Sequence, residues 1–324
     1  MRVLVTGGAG YIGSVIVEEL VAAGHQPVVY DSLARGHAAA VIEGVPLVRA
    51  DVNDTATLVA TLRDHQIVAI IHMAALIEVA ESVAHPEQFF ANNIGGSVSV
   101  LRAMVECGVN RLVFSSTAAL YGDPERLPIT EDEPTKPTNP YGESKLAVER
   151  MLGWVAAAHG MTCTALRYFN AAGATERNGE DHGPESHLIP LVLRAVREGR
   201  PVALYGTDYP TPDGTTVRDY IHVSDLAQAH LLALGRTEPG LRVYNVGNGT
   251  GASVREVIET VRTVTGLPLE VKELPRRAGD QVATVASAQR VCDELGWQPR
   301  HADLRAIIES AWRWRQRHPN GYQE

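Results

Sequence analysis

Cysteine is scarce in this chain: Cys107, Cys163 and Cys292 are the only three in 324 residues. An odd, widely spaced set gives no disulfide framework and no CxxC metal site, so a reducing, cytoplasmic setting is expected. Positive charge is also short. Lys and Arg number 29 against 38 Asp and Glu, a net charge of −9, which argues against nucleic acid or an anionic membrane as partners. A small anionic ligand is still allowed, because it needs only a local cluster of arginines. Long apolar runs are missing too. The longest, 67–77, is interrupted by His72 and is too short to span a bilayer. Met1-Arg2-Val3-Leu4-Val5-Thr6 runs straight into a strand pattern, without the segments of a secretion signal. There is no internal repeat, no low-complexity segment and no HExxH. Glu180, Asp181, His182, Glu185 and His187 could suggest a metal, but they lie in a loop without rigid ligand spacing, so no metal is expected.

What is present is a core. Apolar residues make up 45% of the chain, enough for one large α/β domain or two smaller ones. Val3-Leu4-Val5 reads as a buried parallel strand. Gly7, Gly10 and Gly13 follow in a G-x-x-G-x-x-G spacing, and a helical pattern covers 11–23. Glycines between a strand and a helix let the backbone approach a pyrophosphate at the helix N-terminus, where free N–H groups favour anions; an ordinary glycine-rich turn is the alternative. A second strand at 27–30 ends in Asp31, placed to hydrogen-bond an adenosine ribose and to repel a 2′-phosphate. NAD is therefore favoured over NADP, although Arg35 is near enough to soften the choice, and Asp31 could instead cap the following turn.

Strand patterns at 47–49, 68–72 and 111–115 alternate with helical ones at 54–65 and 92–107. That alternation predicts a doubly wound parallel sheet of Rossmann type, with ligands at the carboxyl ends of its strands. Asp51, Ala74, Ala75, Ser115, Ser116 and Thr117 each follow a strand and should line the cofactor groove. The character changes near Ala171. A smaller α/β substrate-binding lobe is expected over 171–324, with 219–250 returning to the NAD-binding domain formed by 1–170.

The stretch Asn139-Pro140-Tyr141-Gly142-Glu143-Ser144-Lys145 reads as a helix start, with Asn139 as N-cap and Pro140 at the first helical position. Tyr141 and Lys145, four residues apart, share a face. An ammonium beside a phenol favours the phenolate, so the Tyr141 pKa is expected to fall from about 10 toward neutrality. That would suit a general acid or base for an alcohol/ketone pair, whereas the same spacing also arises by chance on many helices.

With the glycine loop, Thr117 and Tyr141-x-x-x-Lys145 in hand, the chain resembles the extended short-chain dehydrogenase/reductase family and, within it, the UDP-glucose 4-epimerase family. More specific blocks carry the narrower resemblance: Arg167-Tyr168-Phe169-Asn170, 208–215, 217–223 and 276–280. The resemblance implies interconversion of UDP-glucose and UDP-galactose through a 4-keto sugar. Tyr141 would take the 4-OH proton, Lys145 would hold Tyr141 ionised and bond the nicotinamide ribose, and Thr117 would share the 4-oxygen. Many relatives have Ser at that last position.

The resemblance further implies cofactor contacts at Tyr11, Ile12, Ser32, Val52 and Met73. Asn92, Tyr168 and Phe169 would join them. In the second lobe Arg218 and Arg277 would bind the diphosphate, Tyr205 would stack near the uracil and Asp280 would bind a hydroxyl. Asn170 with the His187-Leu188 backbone would line the sugar-diphosphate site, near Ala203 and Tyr220. Ile77 stands where some epimerases have a lysine beside NAD, which puts cofactor retention in doubt.

A nucleotide-sugar 4,6-dehydratase or a decarboxylase is the alternative within the family, but dehydratases carry an Asp-Glu pair directly after the active-site Thr, and here Ala118 and Ala119 follow. A non-catalytic NAD-sensing module is the alternative of another class; such proteins usually lose the Tyr or the Lys. A homodimer is implied, packing 92–107 and 141–158 against symmetry mates, since both segments are apolar on more than one side. The position four residues after Asp280 lies beside the sugar 2-substituent in similar epimerases. Here it is the small Thr284, so N-acetylated sugars are expected to fit as well.

Overall fold

The computed structural model describes residues 1–277 and 279–323; Ala278, inside the 276–280 motif, lies outside the described residues. Short apolar stretches that do not alternate need cover on both faces, and the chain supplies it. Strands β1 (Arg2–Thr6), β2 (Gln26–Asp31), β3 (Leu47–Arg49), β4 (Ala69–His72), β5 (Arg111–Thr117) and β6 (Thr162–Tyr168) are joined, after excursions, by a late strand, Gly240–Val246. The seven form one sheet in the order β3-β2-β1-β4-β5-β6 and then Gly240–Val246, with every pairing parallel. The order reverses between β1 and β4, which opens a crevice at their carboxyl ends.

Helix α1 (Tyr11–Ala22) covers one face, together with a later helix, Val223–Leu234, and the buried Trp297. The other face is covered by α2 (Thr55–Asp64), α5 (Gly96–Cys107) and α6 (Pro140–His159); two short helices, α3 (Val79–Ala84) and α4 (Pro86–Phe89), precede α5. The helix expected from residue 92 differs at its start. Phe90–Gly95 is a π turn, and regular α geometry begins at Gly96. Within this π turn Asn93 is buried.

The second lobe is built on a small sheet. Its strands are β7 (Asn170–Ala172), β9 (Val217–His222), β11 (Gly251–Ser253) and β13 (Ala283–Thr284), all pairing with β9. A separate parallel pair joins β8 (Val202–Tyr205) to β12 (Val271–Leu274), leaving β10 as the label of Gly240–Val246. Helices α7 (Leu188–Glu198), α9 (Val254–Thr265) and α11 (Leu304–Arg317) close a third core around Val192, Leu193, Val257, Ile258, Ile307 and Ile308. The Val223–Leu234 helix is α8, and α10 (Gln289–Leu295) packs against β10. Among the described residues no helix is long and apolar enough to cross a membrane.

Candidate active site

The crevice begins at the glycine loop. Gly7 takes a positive φ of +70°, and a Cβ there would lie 2.7 Å from the Ala74 nitrogen, so the loop can hug the end of β4 only as glycine. A Cβ on Gly13 would collide with the Gly7 carbonyl oxygen, whereas Gly10 has only that oxygen nearby, at 3.4 Å, and otherwise faces open space. Gly10 caps α1, and the first intrahelical bond is Ser14 N–H to Gly10 O at 2.9 Å. The N–H groups of Tyr11, Ile12 and Gly13 therefore end the helix without preceding carbonyls, a donor set shaped for a pyrophosphate. Among these residues the loop fits a dinucleotide cofactor.

Asp31 ends β2 with each carboxylate oxygen engaged: Oδ1 accepts from Leu33 N–H at 2.9 Å and Oδ2 from Ala9 N–H at 3.0 Å. It thus caps the following turn, the alternative weighed from the sequence, and also ties that turn to the glycine loop. Each oxygen keeps a lone pair for a ribose hydroxyl. Ser32 follows in the same turn, its Oγ accepting from Ala34 N–H. Arg35 turns away from Asp31, donating to Glu81 at 3.2 Å and to the Gly183 carbonyl. Asp51 caps its own turn through Asn53. Val52 is buried in the core behind it. Met73 N–H donates to Thr6 O at 3.0 Å, continuing β4 alongside β1.

The Tyr141 side follows from a well-capped helix. Asn139 Oδ1 accepts from Gly142 N–H at 2.9 Å and Pro140 opens α6, as the sequence predicts. Lys145, 2% exposed, reaches back to donate from Nζ to the Ser115 carbonyl at 2.8 Å. Its Nζ stands 5.0 Å from the Phe114 ring centre and 6.0 Å from that of Tyr141. Thr117, buried at the end of β5, accepts Ala119 N–H at 3.1 Å and hydrogen-bonds the Tyr141 hydroxyl.

The expected drop in the Tyr141 pKa is not what this arrangement produces. Burial dominates and pushes the phenol up to about 12, with Thr117 opposing and Glu78 adding to the rise. Burial likewise pulls Lys145 down to about 7, partly offset by Glu149. Both groups lose water, and the ammonium is aimed at a carbonyl rather than at the phenol. Desolvation therefore outweighs the pairing inferred from helical spacing.

Several residues that sequence reasoning passed over hold this site. Buried Asn93 donates from Nδ2 to Leu76 O at 3.1 Å and to Ser144 Oγ at 3.0 Å, and accepts Leu76 N–H at 2.8 Å. It joins the loop after β4 to α6, with Asn92 donating to its Oδ1 at 3.0 Å. Buried His72 sits between Thr6 Oγ1 at 2.7 Å and Ser97 Oγ at 3.0 Å, and burial with the nearby Lys145 pulls it down to about 3. Its only signal in the sequence was a polar residue interrupting the longest apolar run.

Across the crevice, Tyr168 reaches Met73 Sδ at 3.7 Å, with Phe169 packed beside Leu120 and Tyr121. Asn170 donates to Asp219 O at 3.2 Å. In the second lobe the Arg277 guanidinium lies 5.0 Å from the Tyr205 ring centre and makes two bonds of 3.1 Å to Asp280. Arg218 donates to Val217 O at 2.8 Å and Gln281 O at 2.9 Å, and pairs in register with the buried Thr284. Tyr220 is buried on the same strand, beside Asn170. Ala203 lies on β8 with Tyr205, and His187 caps α7 just before Leu188.

A family model described as the NAD dependent epimerase/dehydratase family matches residues 3–247. A UDP-glucose 4-epimerase of Streptomyces lividans is 51% identical, over 100% of this chain and 98% of its own. Among solved structures, a UDP-glucose 4-epimerase from Brucella ovis in complex with NAD is 44% identical, with a TM-score of 0.94 over 97% of this chain and 98% of that one. One from Bifidobacterium longum in complex with NAD+ and UDP is 38% identical, with a TM-score of 0.94 over 99% and 100%.

The buried lysine sets a pH dependence. The unfolded chain keeps this proton up to about 10.5 and the folded chain only to about 7. Across that window the unfolded state binds more protons, so stability rises with pH. Lys145→Met removes the effect. In urea unfolding, its stability advantage over wild type should be fullest at or below about pH 7 and should close as the pH approaches 10.5. An advantage that does not change across the window would mean that Lys145 is not held where charge is disfavoured.

Proposed function

The chain belongs to the NAD dependent epimerase/dehydratase family, and we propose from that membership and from the site that it interconverts UDP-glucose and UDP-galactose with NAD, by transient oxidation at C4. The observation that carries the reading is the cluster at the carboxyl end of β5, where buried Thr117 bonds the half-buried Tyr141 and buried Lys145 is held by the Ser115 carbonyl. NAD, when bound, supplies a hydride acceptor, and the positive charge of its oxidised ring favours the phenolate.

Tyr141 takes and returns the proton of the sugar 4-oxygen. Thr117, bonded to the same phenol, shares that oxygen. Lys145 is held by the Ser115 carbonyl where it can bond the nicotinamide ribose. Arg218 and Arg277 clamp the diphosphate, for which a planar guanidinium is well shaped. Tyr205 stacks near the uracil, Asp280 takes a hydroxyl, and Asn170 with the His187 and Leu188 backbone lines the sugar-diphosphate site. The contact of Arg277 with both Tyr205 and Asp280 supports this grouping. Ala118 and Ala119 cannot transfer a proton, which speaks against elimination of water, and the retained Tyr141 and Lys145 speak against a mere NAD sensor. Tyr141→Phe should lose about 10²–10⁴-fold in turnover while UDP binding stays near wild type. Near-normal turnover would remove Tyr141 from the mechanism.

Sugar choice follows from Thr284. In similar epimerases this position lies beside the sugar 2-substituent, and a small side chain here would leave room for an acetamido group; Thr284 is buried in register with Arg218. Wild type should therefore also interconvert UDP-N-acetylglucosamine and UDP-N-acetylgalactosamine. Thr284→Tyr should lose that activity, because overpacking costs about 1–3 kcal/mol, while keeping the glucose/galactose one. A wild type inert toward the acetamido pair, with its 4-epimers separated by chromatography, contradicts the assignment.

The working unit is a homodimer through α5 and α6. Val100, Leu101 and Met104, with Leu146, Val148 and Leu152, face the core, while Trp154 is 81% exposed and Val98 and Val105 also reach the surface. An exposed tryptophan on such a helix calls for a second partner. Light scattering should give a dimer for wild type and a monomer for Trp154→Glu. A monomeric wild type at micromolar concentration refutes it.

A further inference from the structure

The loop expected to carry no metal gathers four side chains with the makings of a metal site. Glu180, His182, Glu185 and His187 each present one ligand atom, and these atoms all lie within 4.8 Å of one another. His187 Nδ1 is 2.5 Å from Glu180 Oε1 and 3.5 Å from Glu185 Oε1, and His182 Nδ1 is 3.4 Å from Glu180 Oε1. The intervening Asp181 goes elsewhere, accepting Tyr322 N–H at 2.9 Å and lying 3.8 Å from Arg315. The clustering is therefore a choice of side chains and not a crowd of neighbours in sequence.

A second observation points to a ligand. Glu185 Oε1 accepts the Ser186 and His187 N–H groups at 2.8 Å, but its Oε2 is buried with no hydrogen-bond partner, on a side chain only 5% exposed. A buried carboxylate oxygen left unpaired is costly. Two carboxylates would balance the charge of a divalent cation, and two neutral imidazoles would add the borderline donors a transition metal prefers.

We propose that Glu180, His182, Glu185 and His187 form a structural binding site for a divalent transition metal, Zn2+ before the others, which clamps the loop between β7 and α7. Two nitrogens and two oxygens suit tetrahedral Zn2+, and imidazole with carboxylate does not select Mg2+ or Ca2+. Ligands at about 2.0–2.1 Å stand about 3.3 Å apart in a tetrahedron, so the widest pair must close by about 1.5 Å. Side-chain rotation in a surface loop can supply that. His187 is 49% exposed and gives the ion access from solvent. Tyr141 and Lys145 are not among the four ligands, and metal binding is read without any assay of epimerisation.

The test uses full-length, NAD-loaded enzyme dialysed against chelator and then titrated with Zn2+ and with Co2+. One equivalent of Zn2+ per chain is expected by elemental analysis, and Co2+ should give the intense visible bands of tetrahedral coordination. His182→Asn and Glu185→Gln should each weaken binding by about 100-fold, at the upper end of what loss of even an outer partner costs, with circular dichroism and NAD content unchanged. No stoichiometric uptake, or uptake that both variants retain, overturns the proposal. Should a variant fail to fold, the wild-type Co2+ spectrum decides alone: an octahedral, water-like spectrum overturns the site and a tetrahedral one supports it.

Discussion

The buried pair of Arg167 and Glu149 holds the wall on which the active site is mounted. Arg167 on β6 donates from Nε to Glu149 Oε1 at 3.0 Å and from Nη2 to Oε2 at 2.6 Å, while Ser116 on β5 donates to Oε1 at 2.5 Å. The guanidinium continues to the Tyr121 hydroxyl at 2.8 Å, which donates to Asn245 on β10 at 2.7 Å. Asn245 in turn holds the loop at Ile129 and Glu131. One network thus ties β5, β6, β10 and α6. A buried pair is stabilising only when its remaining donors and acceptors are met, and here they are; removing one partner of such a pair typically costs about 3–5 kcal/mol. What the network secures is the position of α6 against β5, and with it the approach of Tyr141 to Thr117.

That scaffold also sets the charges. Lys145 lies one helical turn from Glu149, with a carbonyl and an aromatic face for its other neighbours. Behind it His72 is kept neutral, its pKa pulled to about 3, so no second cation competes there. A phenol at about 12 and an amine at about 7 invert the order that model compounds would give. Burial keeps the proton on the Tyr141 phenol, and a positive charge brought beside the ring would favour the phenolate.

Much of this was legible in the sequence because it is local. The glycine spacing, the Asn139 cap, Pro140, and the shared face of Tyr141 and Lys145 are set within a few residues, and the strands of the large sheet are continuous apolar runs. What escaped reading depends on distant partners. Glu149 finds Ser116 and Arg167, and Asn93 finds Leu76 and Ser144, only once the chain has folded. The π turn at Phe90–Gly95 breaks the periodicity by which helices are recognised. Strands of two or three residues such as β13 and β11 are too short to show alternation. The direction of the Tyr141 shift failed for a related reason, since spacing reports proximity but not burial.

The loop between β7 and α7 joins the two halves mechanically. At its start the Tyr11 hydroxyl of the glycine helix donates to Gly173 O at 2.7 Å, and Thr175 donates to Glu18 at 2.9 Å. Further on, Asn178 donates to Ala40 O at 3.0 Å and accepts from Tyr322 near the chain's end. Trp314 of α11 donates to Arg177 O at 3.1 Å. At its far end the same loop becomes the N-terminus of α7, in the second lobe. The loop is thus fastened to α1 at one end and continues into α7 at the other, so the glycine loop and the second lobe are tied to one another through it.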